Sequence, residues 1–243
     1  MYNRFKEMSD VELGKLSDEL EGMPSSSILS WAAKEFFGSL AVTSSFQSQS
    51  LPLLHLLGRI CPNVPVIFLD TGFHFPETVE FKEKISHDLG INVKDVSCLI
   101  GRDRFAEKYG DLWQNDPGMC CYLNKVEPLE RVLDSCEAWI AGIRRDQTKF
   151  RQNTSVLSRD RGGRIKICPM LDWTAEMVSN YTRKFNLPSH PLLEVGYRSI
   201  GCKPCTKPVV SGNDERSGRW QGQEKTECGL HFDENGVARR GNN

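Results

Sequence analysis

No stretch of this 243-residue chain approaches the ~18 consecutive apolar residues that would span a bilayer. Its opening, MYNRFKEMSDVELGKL, is charged and helical where a secretory leader would be apolar. The protein is therefore expected to be soluble and cytoplasmic, with no membrane partner. It also lacks a charge excess: 31 Lys and Arg against 32 Asp and Glu leave a formal net charge of −1. Without a global positive field, a general nucleic-acid binder is disfavoured. Internal repeats and low-complexity tracts are missing, which excludes solenoids and disordered arrays. Histidine is sparse, and His55, His74 and His87 show no metal-ligand spacing with one another. A chain that is 39% hydrophobic can nevertheless bury one sizeable core.

Cysteine is not scarce. Nine are present, and in a reducing compartment structural disulfides rarely persist, so metal ligation or thiol chemistry is the leading question. Cys61, Cys98, Cys136 and Cys168 lie beside apolar segments and read as core filling, as do Trp31, Trp139 and Trp173.

The pattern predicts two short helices within residues 1–37, one N-capped by Asp10 and one around SILSWAAKEFF. Strand and helix then alternate through residues 38–189. Strands are expected at LAVTSSF, VPVIFLD, INVKDVS, AWIAGI and RIKICPM; the helices between and after them are SLPLLHLLGRI, PETVEFKEKISHDLG, VEPLERVLDSC and TAEMVSNYTRKF. Alternation of this kind implies an α/β fold with a doubly wound parallel sheet, because parallel neighbours need crossover connections. Ligands on such sheets bind beyond the carboxyl ends of the strands. That edge should be lined by residues 43–47, 70–72 and 142–147, so Gly142 enters the candidate list. Residues 190–243 have few periodic apolar positions and read as a cysteine-bearing loop region with a mobile tail.

Four cysteines form two close pairs, Cys120-Cys121 and Cys202-Lys203-Pro204-Cys205. Together they can supply four sulfurs to one metal site, a zinc ion or an iron–sulfur cluster. A redox couple and a buried doublet are the competing readings. Adjacent ligands crowd a tetrahedral ion and sit more easily on a cluster, where neighbours reach different irons. Cys228 stands apart, flanked by Lys225 and His231, which favour a nucleophilic thiolate, and by Glu227, which opposes one. An idle surface cysteine is the alternative. Lys125, Arg144, Arg145, Arg216 and Arg219 suit a polyanion if gathered at the sheet edge. The turn TSSFQS offers hydroxyls and N–H groups to a phosphate, although the Gly-Lys-Ser/Thr ending of a Walker loop is absent.

From about Leu40 to His231, the blocks VTSSF, LDTGFHFPET, CCYLNKVEPL, GIRRDQ, HPL…GY…IGCKPC, GRW and KTECGLH resemble the assimilatory sulfonucleotide reductases. The resemblance implies an adenine nucleotide α-hydrolase-like fold and a [4Fe–4S] cluster on Cys120, Cys121, Cys202 and Cys205. It implies Cys228 as the nucleophile, which takes the sulfonyl group as an S-sulfocysteine. Lys125, Arg144, Arg216 and Arg219 match residues that contact the phosphosulfate; Ser44, Ser45, Leu69, Asp70, Thr71 and Gly72 match the nucleotide cradle. Gly142 and His231 fall within matching blocks and join the substrate-binding set. Thioredoxin or glutaredoxin would supply electrons, and a homo-oligomer is compatible with the family. The four cysteines favour adenylylsulfate as substrate. TGFHFPET and Asn124, at a position basic in many cluster-bearing relatives, resemble the branch that uses phosphoadenylylsulfate, so that substrate, or both, is the alternative. Two remoter readings are a tRNA sulfurtransferase, whose Ser-Gly-Gly-x-Asp-Ser loop is missing, and an iron–sulfur nucleotide sensor.

Overall fold

The computed structural model describes residues 4–209, 215–223, 225, 227, 229 and 230. Helices α1 (Arg4–Glu7), α2 (Asp10–Leu20) and α3 (Ser25–Glu35) come first. There follow β1 (Leu40–Thr43), α4 (Leu51–Ile60), β2 (Val66–Leu69), α5 (Pro76–Leu89) and β3 (Val93–Val96). A helical stretch comprises α6 (Arg102–Tyr109), α7 (Leu112–Asn115), α8 (Pro117–Cys121) and α9 (Glu127–Leu133). Strands β4 (Ala138–Ala141), β5 (Leu157–Arg159) and β6 (Ile165–Ile167) then lead to α10 (Ala175–Lys184). Among the described residues, no helix is long and apolar enough to cross a membrane.

The strands form one sheet in the order β3-β2-β1-β4-β6-β5. Strands β2 and β4 are buried along their whole length, as continuous apolar runs with both faces covered should be. β1 pairs in parallel with β2 on one side and β4 on the other. The strand order reverses at that junction, so the connections leaving β1 and β4 diverge and open a crevice.

Two sequence expectations need correction. The sheet is not wholly parallel, because β5 runs antiparallel to β6. Asp160 closes that hairpin, its Oδ1 accepting from the N–H groups of Gly162 and Arg164. Three residues, one of them strongly apolar, carry too little alternation to announce a strand. The cap of α2 is Ser9, not Asp10: Ser9 and Glu12 exchange hydrogen bonds in a capping box, and Asp10 is the first helical residue. The interval before VEPLERVLDSC is itself helical, and the cysteine doublet lies inside it.

Residues 4–35 share the core of the sheet through Phe5, Leu13, Leu20, Ile28 and Leu29. They also cover the β5 edge. Ser17 Oγ accepts from Leu157 N–H at 3.0 Å, and Arg159 Nη2 donates to the carbonyls of Phe5 and Met8. A covered edge cannot recruit a foreign strand.

His190 anchors the start of the cysteine-bearing region. It is fully buried. Its Nδ1 accepts from Leu192 N–H, so Nε2 carries the proton and donates to Thr78 Oγ1 at 3.1 Å. Burial depresses its pKa to about 4, against a small opposing pull from Glu77. Since the unfolded imidazole titrates near 6.5, the unfolded chain binds more protons between those values, and stability falls as pH drops through that window by on the order of 3 kcal/mol. Urea midpoints from pH 4 to 6.5 should fall more steeply for the wild type than for His190→Gln; parallel slopes would remove the role.

Candidate active site

A cavity of about 170 Å³ opens beyond β1, β2 and β4, with Thr43, Ser44, Ser45, Leu69 and Gly142 in its wall. After β1 the chain turns sharply. Ser44 N–H bonds to Ile67 O, Ser44 Oγ accepts from Phe46 N–H, and Phe46 takes a φ of +52°. A left-handed non-glycine backbone is strained; the completely buried Phe46 ring, edge-on to Phe68 at 5.8 Å, holds it there. A Cβ at Gly142 would stand 2.9 Å from Leu53 Cδ2, so a larger residue there would require the Leu53 side chain to shift.

Lys125, Arg151, Arg216 and Arg219 line the cavity. Arg144 does not. It is 2% exposed, donates to Asp146 Oδ1 and Gln49 Oε1 at 2.9 and 2.8 Å, and lies 3.8 Å from Glu215. Asp146 in turn accepts from Ala175 N–H at the start of α10, so Arg144 braces the scaffold behind the cavity. Arg145 is committed to Glu21 and Asp172. Arg151, which the sequence reading missed, lies in the same loop after β4, seven residues farther on. Its Nε and Nη2 donate to Glu227 Oε1 and Oε2, both at 2.8 Å, and Nη1 donates to Gln147.

Trp220 gathers the basic set. Its buried ring lies under Arg219 Cζ at 4.4 Å, with Arg216 Cζ and Lys225 Nζ each at 5.8 Å. Arg219 lies directly over Gly201, where a Cβ would stand 2.2 Å from Nη2 and would displace the guanidinium. His74 was also read as inert, yet it lines the cavity. Its Nε2 donates to Leu69 O at 2.9 Å, its ring stacks on Phe68, and Nδ1 is buried without a partner. Burial holds its pKa below the usual imidazole value, against the Leu69 bond, so the ring is neutral at pH 7.

Asp70, Thr71 and Gly72 do not line this cavity; they brace the cysteines. Asp70 Oδ1 accepts from Gly72 N–H, Thr71 Oγ1 lies 3.3 Å from Cys202 Sγ, and Lys203 N–H donates to Phe73 O. Cys120, Cys121, Cys202 and Cys205 together line a second, smaller cavity of about 10 Å³. Cys61, Cys98, Cys136 and Cys168 do not reach it.

The helix bearing the doublet is unusual. Asp116 caps it by accepting from Met119 N–H, and it runs through a π-helical turn, Tyr122–Val126, directly into α9. Pro128 supplies the reason. It has no N–H to donate and would clash with the carbonyl four residues back, so the helix widens before it and Glu127 N–H bonds to Tyr122 O. The wider turn carries Lys125, which lines both cavities. Asn124 donates to Cys120 O at 3.0 Å; it lines the cysteine cavity and also another one beside Asp70, Thr71, Gly72 and Arg102.

Burial, then repulsion from the other three sulfurs, pushes the Cys120 thiol up to about 12; burial and the Cys202 and Cys121 sulfurs push Cys205 to about 11, and Lys125 opposes both shifts. Left bare, these two thiols stay neutral at pH 7, and only a cation among them would favour the thiolates. An all-sulfur donor set suits zinc or iron–sulfur. Among the described residues, no three His, Cys, Asp or Glu side chains are gathered so as to grip a single ion.

Cys228 and His231 lie outside the described residues. Around them, Lys225 Nζ donates to Pro117 O at 2.7 Å and Leu230 lines the first, larger cavity.

A model of the phosphoadenosine phosphosulfate reductase domain matches residues 39–208. The chain is 42% identical to an adenosine 5'-phosphosulfate reductase of Bacillus cereus over 89% of this chain and 94% of the relative. It is 41% identical to that of Bacillus mycoides over the same shares. Its fold resembles the phosphate complex of the phosphoadenylyl-sulfate reductase of Candida auris, with a TM-score of 0.73 and 28% identity over 83% of this chain and 98% of that one. Candida glabrata FMN adenylyltransferase shares the fold at a TM-score of 0.56 and 14% identity, covering 88% of this chain and 85% of that one.

Because Arg144 supports and does not line the cavity, Arg144→Ala should lower unfolding stability by about 2–3 kcal/mol, read from urea midpoints. An unchanged midpoint with weakened nucleotide binding would return Arg144 to the binding set.

Proposed function

Since the chain belongs to the phosphoadenosine phosphosulfate reductase family, we propose that it reduces adenylylsulfate to sulfite and AMP in sulfate assimilation, with a thioredoxin-type dithiol as electron donor. One observation carries this reading. The all-sulfur cavity and the cation-lined cavity share a wall made of Lys125, Arg219 and Trp220.

The nucleotide would lie beyond β1 and β2, against Ser44, Ser45 and Leu69, with its phosphosulfate toward Lys125, Arg216 and Arg219. Attack by the Cys228 thiolate on the sulfate sulfur forms an S–S bond and breaks the S–O bond to phosphate, so AMP leaves. Anion attacks anion in that step, and the three cations offset the repulsion and stabilise charge growing on the leaving phosphate. A reductant thiolate then attacks Cys228 sulfur and expels sulfite. The reductant's second thiol resolves the mixed disulfide, regenerating the Cys228 thiol and oxidising the dithiol by two electrons. Both electrons come from thiols, and a reduced dithiol pool puts the reaction in the cytoplasm. Cys120, Cys121, Cys202 and Cys205 would hold a [4Fe–4S] cluster, which supplies a rigid anchor for the cysteine helix and tunes the field at Lys125.

Phosphoadenylylsulfate is the second reading, favoured by the structural likeness to the Candida auris enzyme. The curated relatives at 41–42% identity support adenylylsulfate. Asn124 donates to Cys120 O, which ties its amide to the cysteine helix.

Anaerobic protein incubated with adenylylsulfate and no reductant should gain one sulfonate on Cys228 by intact mass. Cys228→Ser should gain none while keeping iron and acid-labile sulfide in equal amounts. Sulfite release from an unmodified thiol would overturn the mechanism, and exclusive use of phosphoadenylylsulfate would overturn the substrate. Lys125→Ala should retain iron and lose on the order of 100-fold in kcat/KM; full turnover would refute its role.

A further inference from the structure

Two side-chain amides in the cavity wall, Gln49 and Gln147, have every oxygen and nitrogen assigned by its neighbours. Gln49 Oε1 accepts from Arg144 Nη1 at 2.8 Å and from Gln147 Nε2 at 3.0 Å, so Nε2 is the end that donates to Glu215 Oε2, at 2.6 Å. Gln147 Oε1 accepts from Arg144 N–H at 3.1 Å and from Arg151 Nη1. Turning Gln49 over would set its nitrogen against the Arg144 guanidinium and its oxygen against a carboxylate. The bonds therefore run one way, from Arg151 through Gln147 and Gln49 to Glu215. A cation stands at one end, an anion at the other, and bonds aligned in this way polarise one another.

The relay joins segments far apart in the sequence. Gln49 lies in the turn after β1, Gln147 and Arg151 in the loop after β4, and Glu215 directly precedes Arg216. Both Arg151 and Arg216 line the cavity. Arg151 is 5% exposed and is gripped from two sides: Glu227 takes Nε and one N–H of Nη2, Gln147 one N–H of Nη1. A guanidinium has five N–H groups. One on each terminal nitrogen is thus left without a partner among the described residues, and these two are open to a ligand.

We propose that Gln49 and Gln147 are positioning residues: their amides, anchored on Glu215, aim the two unengaged N–H groups of Arg151 at an oxyanion in the cavity and hold the segments bearing Arg151 and Arg216 at a fixed spacing. The assignment deepens the sulfonucleotide reading and rests on it for naming that oxyanion as part of the phosphosulfate. Planar guanidinium donors match an oxyanion only when their direction is set. Losing one charge-assisted bond through misdirection costs on the order of tenfold in affinity. A relay of this kind acts on the anionic end of a nucleotide and leaves the nucleoside alone, which separates it from a brace that merely keeps the cavity folded.

The test titrates ADP and adenosine calorimetrically into full-length, anaerobically purified protein, wild type against Gln49→Ala, Gln147→Ala and the double variant. ADP should bind about tenfold more weakly to each single variant, with adenosine within about twofold of wild type. The double variant should lose no more than the worse single, as for links of one chain. Unchanged ADP binding, an equal loss for adenosine, or additive losses would overturn the relay. Glu215, its side chain 37% exposed, supplies a variant that spares the core. Removing a carboxylate beside these cations would by charge alone tighten ADP; Glu215→Ala should weaken it, and Glu215→Gln, which keeps an acceptor for Gln49, should bind it as the wild type does. Tighter ADP binding in Glu215→Ala, or equal losses in both Glu215 variants, would also overturn the proposal. Absence of S-sulfonation when the wild type meets adenylylsulfate would instead sink the reductase reading, leaving the contrast between ADP and adenosine to decide the relay.

Discussion

Parallel pairing of β1 with β4 is the contact on which the site depends. It places two strands side by side whose following connections run to opposite flanks of the sheet, and the gap between those connections is the cavity. The same pairing obliges the chain to return from β3, at one edge, across β2 and β1 before β4 can form. That return path contains α6 to α9, and α9 packs on β2 and β3. The cysteine helix is thus part of a crossover that parallel topology demands, and it lies beside the crevice for that reason.

Within the crossover, Pro128 converts a sequence choice into geometry. By withholding one N–H it widens a single turn, and Lys125 comes to stand between the sulfur-lined and cation-lined cavities. Trp220 completes the partition, its indole presenting a flat apolar face with cations packed around it. Two polar chemistries therefore share a wall. Influence between them travels as a static field and as packing.

The alternation of strands and helices was legible because β1, β2, β4 and β6 are β-branched, apolar and buried, and each is closed by turn residues. β5 was not, since a three-residue antiparallel strand is specified by its hairpin and by Arg159 and Ser17, contacts distant in sequence. Ser44 and Ser45 line the cavity at the edge where the rule put them, with Lys125, Arg216 and Arg219 gathered there too, whereas Asp70, Thr71 and Gly72 do not. Arg144 and Arg151 show where the rule stops. Both follow β4, and only the burial of one against Asp146 and Gln49 and the reach of the other toward Glu227 separate their roles. His74 was passed over for lack of a metal-ligand spacing, whereas its place comes from a single bond to the Leu69 carbonyl.

The cover over the β5 edge carries a cost in time during synthesis. Ser17 and Leu157 are 140 residues apart in the chain, and translation at ~5–20 residues per second separates their emergence by roughly 7–28 s. Throughout that interval the face of α2 that packs on β5 lacks that partner, although α3 can already meet α4. The part of the fold that shields the finished protein from unwanted strand pairing is, while the chain is being made, the part that waits longest for shelter.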